Sequence, residues 1–216
     1  MTMPTLYGAS YSVYTRIARL ALIEKGVDHA FEEVDIFAPG GPAPSYLELH
    51  PFERVPAMRH GGFSLFETQA ICRYVDETFP GPALQPSSAQ DRARMAQIIG
   101  ILDAYAYRAM VWDIFVERVR KPARGEVQDE AKIAAAVGLA GRCLGVLEGS
   151  MGGSPWLIGA GDHPSLADLH AAPMLTHLAA APEGAALIVR HAPIAAWLER
   201  MKARASMRAT RSPLID

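Results

Sequence analysis

The chain has 216 residues, 21 basic and 23 acidic, for a net charge of −2, and half of them are apolar. That balance excludes a nucleic-acid partner, because the single basic cluster (Arg118, Arg120 and Lys121) reads as a solvated helix end. The apolar share suffices for two modest domains, but no apolar run reaches the roughly 18 residues of a membrane span.

Met1 to Tyr7 lacks the charged and apolar parts of a signal peptide, so a cytoplasmic protein is expected, with Cys72 and Cys143 as reduced thiols. Pro4 to Tyr7 is a short apolar run closed by Gly8 and predicts a first strand. Ala9 to Tyr14 is a loop with hydroxyls at Ser10, Tyr11, Ser12 and Tyr14. From Thr15 the positions Ile17, Leu20 and Ala21 follow a helical spacing, and Gly26 supplies the stop. Phe31, Val34 and Ile36 mark a second strand over 31–36, parallel to the first because a helix intervenes. A Pro/Gly loop (39–44) and a short helix (45–49) follow. Val55-Pro56 then opens an apolar run to Met58, Gly61-Gly62 turns the chain, and Phe63 to Phe66 returns, which predicts a hairpin leading into a helix over 67–79. Pro56 stands at the head of its strand, where a missing N–H is tolerated. A cis Val55–Pro56 bond is expected there, aiming the Val55 N–H and C=O at an extended ligand that pairs like an added strand.

Phe79 to Pro86 is dense in Pro and Gly and marks a boundary: domains over 1–80 and 88–216, joined by a linker at 81–87. Beyond it the strand signals fade. Ser87 or Ser88 can cap a helix running to about Val119, bent at Gly100. A second long helix spans 126–148, where Gly138, Gly141 and Gly145 recur at helical spacing and predict close approach of another helix. Ser165-Leu166-Ala167-Asp168 has capping-box spacing before an apolar helix, and 193–205 predicts a final amphipathic helix. His163, His170 and His177 stand seven apart, about 10 Å on a helix, too far for one metal ion. Gly159-Ala160-Gly161 is not followed by a helix at the right place and is not read as a nucleotide loop.

Val55-Pro56-Ala57-Met58, with Phe66-Glu67-Thr68-Gln69-Ala70-Ile71-Cys72-Arg73-Tyr74-Val75 after it, resembles the glutathione-site signature of the cytosolic glutathione transferases. The usual form is V/I-P-A-L, then E-S/T-x-A-I-x-x-Y-L; Met58 and Thr68 are substitutions that remove no needed group. Ser165 to Asp168 matches the family's S-x-A-D element, and the likeness covers nearly the whole chain. It is similar to serine-type members of bacterial phi- or zeta-like style. The resemblance implies an α/β thioredoxin-like N-terminal domain and an all-α C-terminal domain, the glutathione transferase fold. Where redox members of that fold carry C-x-x-C, this chain has Ser12-Val13-Tyr14-Thr15, which excludes disulfide exchange by the loop.

The activity so implied is conjugation: glutathione, held as thiolate, attacks a hydrophobic electrophile, with no metal and in a homodimer. Ser12 is the implied thiolate-stabilising hydroxyl, with Ser10 and Tyr11 as open alternatives. Glu67 would meet the γ-glutamyl ammonium and Thr68 its carboxylate, at a helix start that attracts anions. Val55 and Pro56 would hold the peptide backbone. Arg54 would meet the glycine carboxylate, with His50 as a second candidate, and Tyr11, Tyr107 and Met110 would line the electrophile pocket. One departure stands out: many serine-type members carry arginine five residues after the serine, where this chain has Ile17, with Arg16 and Arg19 on either side. Two alternatives stay open. One is a zeta-like isomerase, although its Ser-Ser-Cys run is missing here. The other is a non-catalytic ligand carrier or interaction module, although such proteins often lose the Glu-Thr pair or the loop hydroxyl, both of which are kept.

Overall fold

The computed structural model describes residues 2–159 and 162–215, so part of the Gly159-Ala160-Gly161 run lies outside it. The chain divides into two compact units. Among the described residues the first comprises 2–84 together with 205–214, the second 85–204 and 215.

In the first unit the elements run β1 (Thr5–Gly8), α1 (Val13–Glu24), β2 (Ala30–Glu33), α2 (Pro44–Leu47), β3 (Ala57–His60), β4 (Phe63–Phe66) and α3 (Thr68–Thr78). The strands form one sheet in the order β2-β1-β3-β4. β1 and β2 are parallel, while β3 runs antiparallel to both β1 and β4. Leu6, Ile17, Leu20, Met58, Ile71 and Val75 are fully buried. Gly8 lets α1 sit this close, since a Cβ there would lie 2.5 Å from the Thr15 side chain.

Several boundaries differ from expectation for identifiable reasons. α1 begins at Val13, not Thr15, because the Ser12 Oγ accepts from the Thr15 N–H at 3.2 Å and caps the helix. β2 ends at Glu33, not Ile36: its partner β1 stops at Gly8, whose C=O takes one last bond, from Val34 N–H at 2.8 Å. The expected partition gives 205–214 to the helical domain, yet this segment groups with the first unit. The buried Arg16 explains it, donating to Met207 C=O at 3.1 Å and Thr210 Oγ1 at 3.4 Å. Lys25 and Asp76, both nearly buried, pair at 2.8 Å, and each also bonds the following linker, at Pro82 C=O and Leu84 N–H.

The second unit is helical. α4 (Ala89–Ile101) is capped by Ser88, whose Oγ accepts from Asp91 N–H at 3.0 Å. From Leu102 the helix continues to Arg120 with π-type spacing, as in the bonds from Tyr107 N–H to Leu102 C=O and from Lys121 N–H to Val116 C=O. The expected bend at Gly100 is thus a change of helix type two residues later. α5 (Lys121–Ala123), α6 (Glu130–Met151), α7 (Leu166–Ala179), α8 (Pro182–Arg190) and α9 (Ala192–Lys202) follow, and α10 (Ala205–Ala209) returns to the first unit. α7 is buried along most of its length, which makes it the central helix.

Asp168, fully buried, accepts from Ser165 N–H and Oγ–H, Leu157 N–H and Trp197 Nε1–H at 2.7–2.8 Å. The capping box therefore does more than cap: it ties the preceding loop and α9 to α7. α6 has the length and composition of a spanning helix, but its apolar stripe of Ile133, Ala140, Leu144 and Leu147 is buried. The expected close approach at Gly138, Gly141 and Gly145 is not found. A Cβ at Gly145 meets nothing, at Gly138 only Arg142 of its own helix, and at Gly141 an ordinary contact with Leu187. Gly184 is the tight one, because a Cβ there would lie 1.9 Å from Leu178 C=O.

Candidate active site

The sheet register brings the site together. Tyr7 pairs with Ala57, and Ala57 with Phe66. The residues after β1 (Ala9 to Ser12), those before β3 (Arg54 to Pro56) and those after β4 (Glu67, Thr68) therefore lie at one end of the sheet. Gly8 pairs with Glu33 in parallel, so Val34 and Asp35 leave at the same end. Loops at the carboxyl ends of parallel strands are where open α/β sheets bind ligands.

The three loop hydroxyls have different fates. Ser10 donates its hydroxyl to one Glu33 carboxylate oxygen at 2.5 Å and its N–H to the other at 2.7 Å. Tyr11 donates its hydroxyl to Asp35 Oδ1 at 2.8 Å. Burial and the Asp35 carboxylate push the Tyr11 phenol well above its ordinary value. Ser12, half-buried, accepts from Thr15 N–H and donates to no other described residue. Its oxygen is engaged at the start of α1, while its proton can still be offered outward.

At the hairpin the Val55–Pro56 bond is cis, as the sequence predicts. Val55 is largely buried, and neither of its backbone groups bonds another described residue. Tyr46, itself buried, holds this turn from below by donating to Arg54 C=O at 2.6 Å. The Arg54 side chain is exposed, with no ion pair or hydrogen bond among the described residues. Glu67 is exposed too, and its backbone has φ 71° and ψ 117°. Such a conformation in a non-glycine residue stores about 1–3 kcal/mol. It ends β4 abruptly and starts α3 at Thr68, whose first-turn N–H groups face the same end of the sheet.

His50 is buried and its ring lies 4.8 Å from that of Phe66. Burial pushes its pKa down, so it is a poor partner for a carboxylate. Tyr7 is a strand residue tilted against Tyr46. Arg16, the nearest match to the missing family arginine, serves the C-terminal segment instead. In the second unit Tyr107 is half-buried and Met110 exposes no surface. Both lie in the stretch of π-type spacing, Tyr107 at the junction of its two segments and Met110 near the start of the second. Sequence reasoning missed Glu33, Asp35 and Tyr46. The first two had a faint signal, acidic residues at the end of a strand beside the hydroxyl loop, and Tyr46 had none. No cluster of metal-ligating side chains occurs among the described residues.

Residues 6–83 match the family model "Glutathione S-transferase, N-terminal domain", and residues 130–200 match "Glutathione S-transferase, C-terminal domain". The chain is 30% identical over 207 residues to glutathione S-transferase F9 of Arabidopsis thaliana, covering 95% of this chain and 94% of that protein. The crystal structure of glutathione transferase F7 from Populus trichocarpa superposes with a TM-score of 0.83 at 28% identity, covering 96% of this chain and 97% of that one. Glutathione S-transferase I from maize, solved in complex with an atrazine glutathione conjugate, superposes with a TM-score of 0.82 at 27% identity, covering 97% and 96%.

Proposed function

The chain belongs to the glutathione S-transferase family, and on that premise we propose that Ser12 holds glutathione as a thiolate for attack on a hydrophobic electrophile. Glutathione transfer is the activity of the enzyme; the residue roles and the setting are the parts proposed. The observation that carries Ser12 is the pattern of donation in its loop. Ser10 and Tyr11 give their protons to Glu33 and Asp35, whereas the Ser12 proton has no acceptor among the described residues. A thiol of pKa about 8.5 needs roughly 2.7 kcal/mol to drop two units. One hydrogen bond to the charged sulfur supplies about 1.5–3 kcal/mol, and the start of α1 adds about 0.3–1. No general base is required.

Val55 then pairs with the peptide backbone through its unpaired N–H and C=O. Glu67 meets the ammonium of the γ-glutamyl end, Thr68 and the start of α3 meet its carboxylate, and Arg54 meets the glycine carboxylate. Tyr11, Tyr107 and Met110 are proposed as the electrophile-site residues. The proposed setting is a cytoplasmic, detoxifying homodimer.

The test is the ultraviolet absorbance of the bound thiolate against pH, for wild type, Ser12→Ala, Ser10→Ala and Tyr11→Phe. Ser12→Ala should still bind glutathione, but with its thiol pKa moved toward the free value. Losing about 2 kcal/mol leaves roughly thirtyfold less thiolate at neutral pH. Because Ser12 also caps α1, the variant should lose about 1 kcal/mol of stability. A shift in Ser10→Ala or Tyr11→Phe with none in Ser12→Ala would assign the wrong hydroxyl to the sulfur.

A further inference from the structure

Beside Ser12 the first unit presents a pair of stacked rings. The Tyr11 and Phe37 centroids are 5.9 Å apart at an interplanar angle of 27°, and Phe37 is 67% exposed. One carboxylate oxygen fixes both rings: Asp35 Oδ1 accepts from Tyr11 O–H at 2.8 Å and from Phe37 N–H at 2.9 Å. Among the described residues the other oxygen, Oδ2, has no partner, and no cation pairs with Asp35. Its neighbours Glu32 and Glu33 are exposed as well, and Glu33 faces Arg19, whose guanidinium lies over Phe31. The hydrogen bonds from Phe37 and Tyr11 hold the Asp35 pKa below its ordinary value, so its charge persists. A flat apolar surface with a fixed, unneutralised negative charge beside it is a selective surface.

We propose that Asp35 makes the electrophile site charge-selective: flat aromatic electrophiles that are neutral or cationic are accepted on the Tyr11–Phe37 pair, and those carrying a carboxylate or sulfonate are discriminated against. The inference rests on the reading of Ser12 as the thiolate anchor, since that residue adjoins the ring pair. For a chloronitroarene the step is an aromatic substitution. The thiol proton leaves to solvent on activation, the sulfur–carbon bond forms with a sulfur pair while a ring π pair moves onto the nitro-bearing ring, and that pair then restores the aromatic ring as the carbon–chlorine bond breaks and chloride leaves with the bonding pair. A carboxylate on the substrate ring adds a like charge within several ångströms of Asp35, in a partly solvated site where such a pair is worth a several-fold factor in rate.

The experiment compares kcat/KM for 1-chloro-2,4-dinitrobenzene and 4-chloro-3,5-dinitrobenzoate in wild type and Asp35→Asn, each at low and high salt. The substituted amide keeps an acceptor oxygen for Tyr11 O–H and Phe37 N–H but carries no charge. The anionic-to-neutral ratio should rise about 3- to 10-fold in Asp35→Asn. In wild type the same ratio should climb with salt, because screening weakens the repulsion. The glutathione charges act on the anionic substrate alike in both proteins, so they cancel when the ratio of one protein is divided by that of the other. A ratio that is equal in both proteins, whatever its salt dependence, overturns the proposal. If Asp35→Asn does not fold, Asp35→Ser, which also removes the charge and keeps an acceptor oxygen, gives the same comparison. Absence of any glutathione conjugation of the neutral substrate by wild type would instead overturn the reading of the site itself.

Discussion

At the scale of single residues, two kinds of cost are visible. Glu67 stores backbone strain at the corner between β4 and α3, where its side chain stands exposed. His170 bears a different cost. It is fully buried in α7, its Nδ1 lies 2.8 Å from Leu166 C=O, and its Nε2 has no partner among the described residues. Burial pushes its pKa down to about 4. An unfolded histidine takes its proton near pH 6.5, and the folded one does not until about 4. The depressed value means that stability is complete above about 6.5 and is lost as pH falls toward 4, by up to about 3 kcal/mol. His170→Leu removes that slope. Urea denaturation at pH 7, 5.5 and 4 should show the variant gaining on wild type as pH falls; a constant difference would refute the assignment.

At the scale of elements, α6 shows local propensity at odds with the structure it forms. It carries Gly138, Gly141, Gly145 and Gly149 inside a helix of 22 residues, each weakening it by about 1 kcal/mol relative to alanine. Asp129 caps its start, accepting from Lys132 N–H at 3.0 Å, and Gly152 ends it in the left-handed region. Burial of Ile133, Ala140, Leu144 and Leu147 offsets the poor propensity. Gly145 is exposed, and a Cβ there meets nothing within 4 Å. Gly145→Ala should therefore stabilise the protein by about 1 kcal/mol, read as a rise in the urea midpoint at unchanged slope. Gly141→Ala should gain at least as much, since its Cβ would sit in ordinary contact with Leu187 Cδ2 at 3.4 Å. A smaller gain at Gly141 than at Gly145 would mean that Leu187 has to shift to admit the methyl group.

At the scale of the whole molecule, the first unit is discontinuous in sequence. Its C-terminal piece docks on α1 through Arg16 and through Arg19, which donates to Ala209 C=O at 3.4 Å. Phe52, in the loop before β3, is 68% exposed, while Val127 and Val189 of the second unit are 88% and 75% exposed. Apolar side chains left open on both units favour the proposed two-fold dimer. Sedimentation equilibrium at micromolar concentration should give twice the 23.3 kDa chain mass, and Phe52→Ala should shift the protein toward monomer. A monomer at that concentration in wild type would exclude the dimer.

The sequence by itself determined the order of the elements in the first unit, the hairpin, the cis Val55–Pro56 turn, the Ser165–Asp168 capping box and the family signature; α5, α8 and α10 were not legible in it. Each legible feature is written locally, in spacing, turn residues or a cap, within a few positions of the backbone it shapes. Which loop hydroxyls are occupied was decided by the sheet. Gly8 pairs with Glu33, so the end of β2 lies beside the loop and its carboxylates take the protons of Ser10 and Tyr11. No spacing rule reports that choice, because the partners are more than 20 residues apart. The same is true of Arg16, which looks like an active-site arginine until the distant C-terminal segment supplies its acceptors. Local chemistry thus wrote the elements and the family, whereas long-range pairing, which sequence periodicity does not encode, assigned each polar side chain its partner.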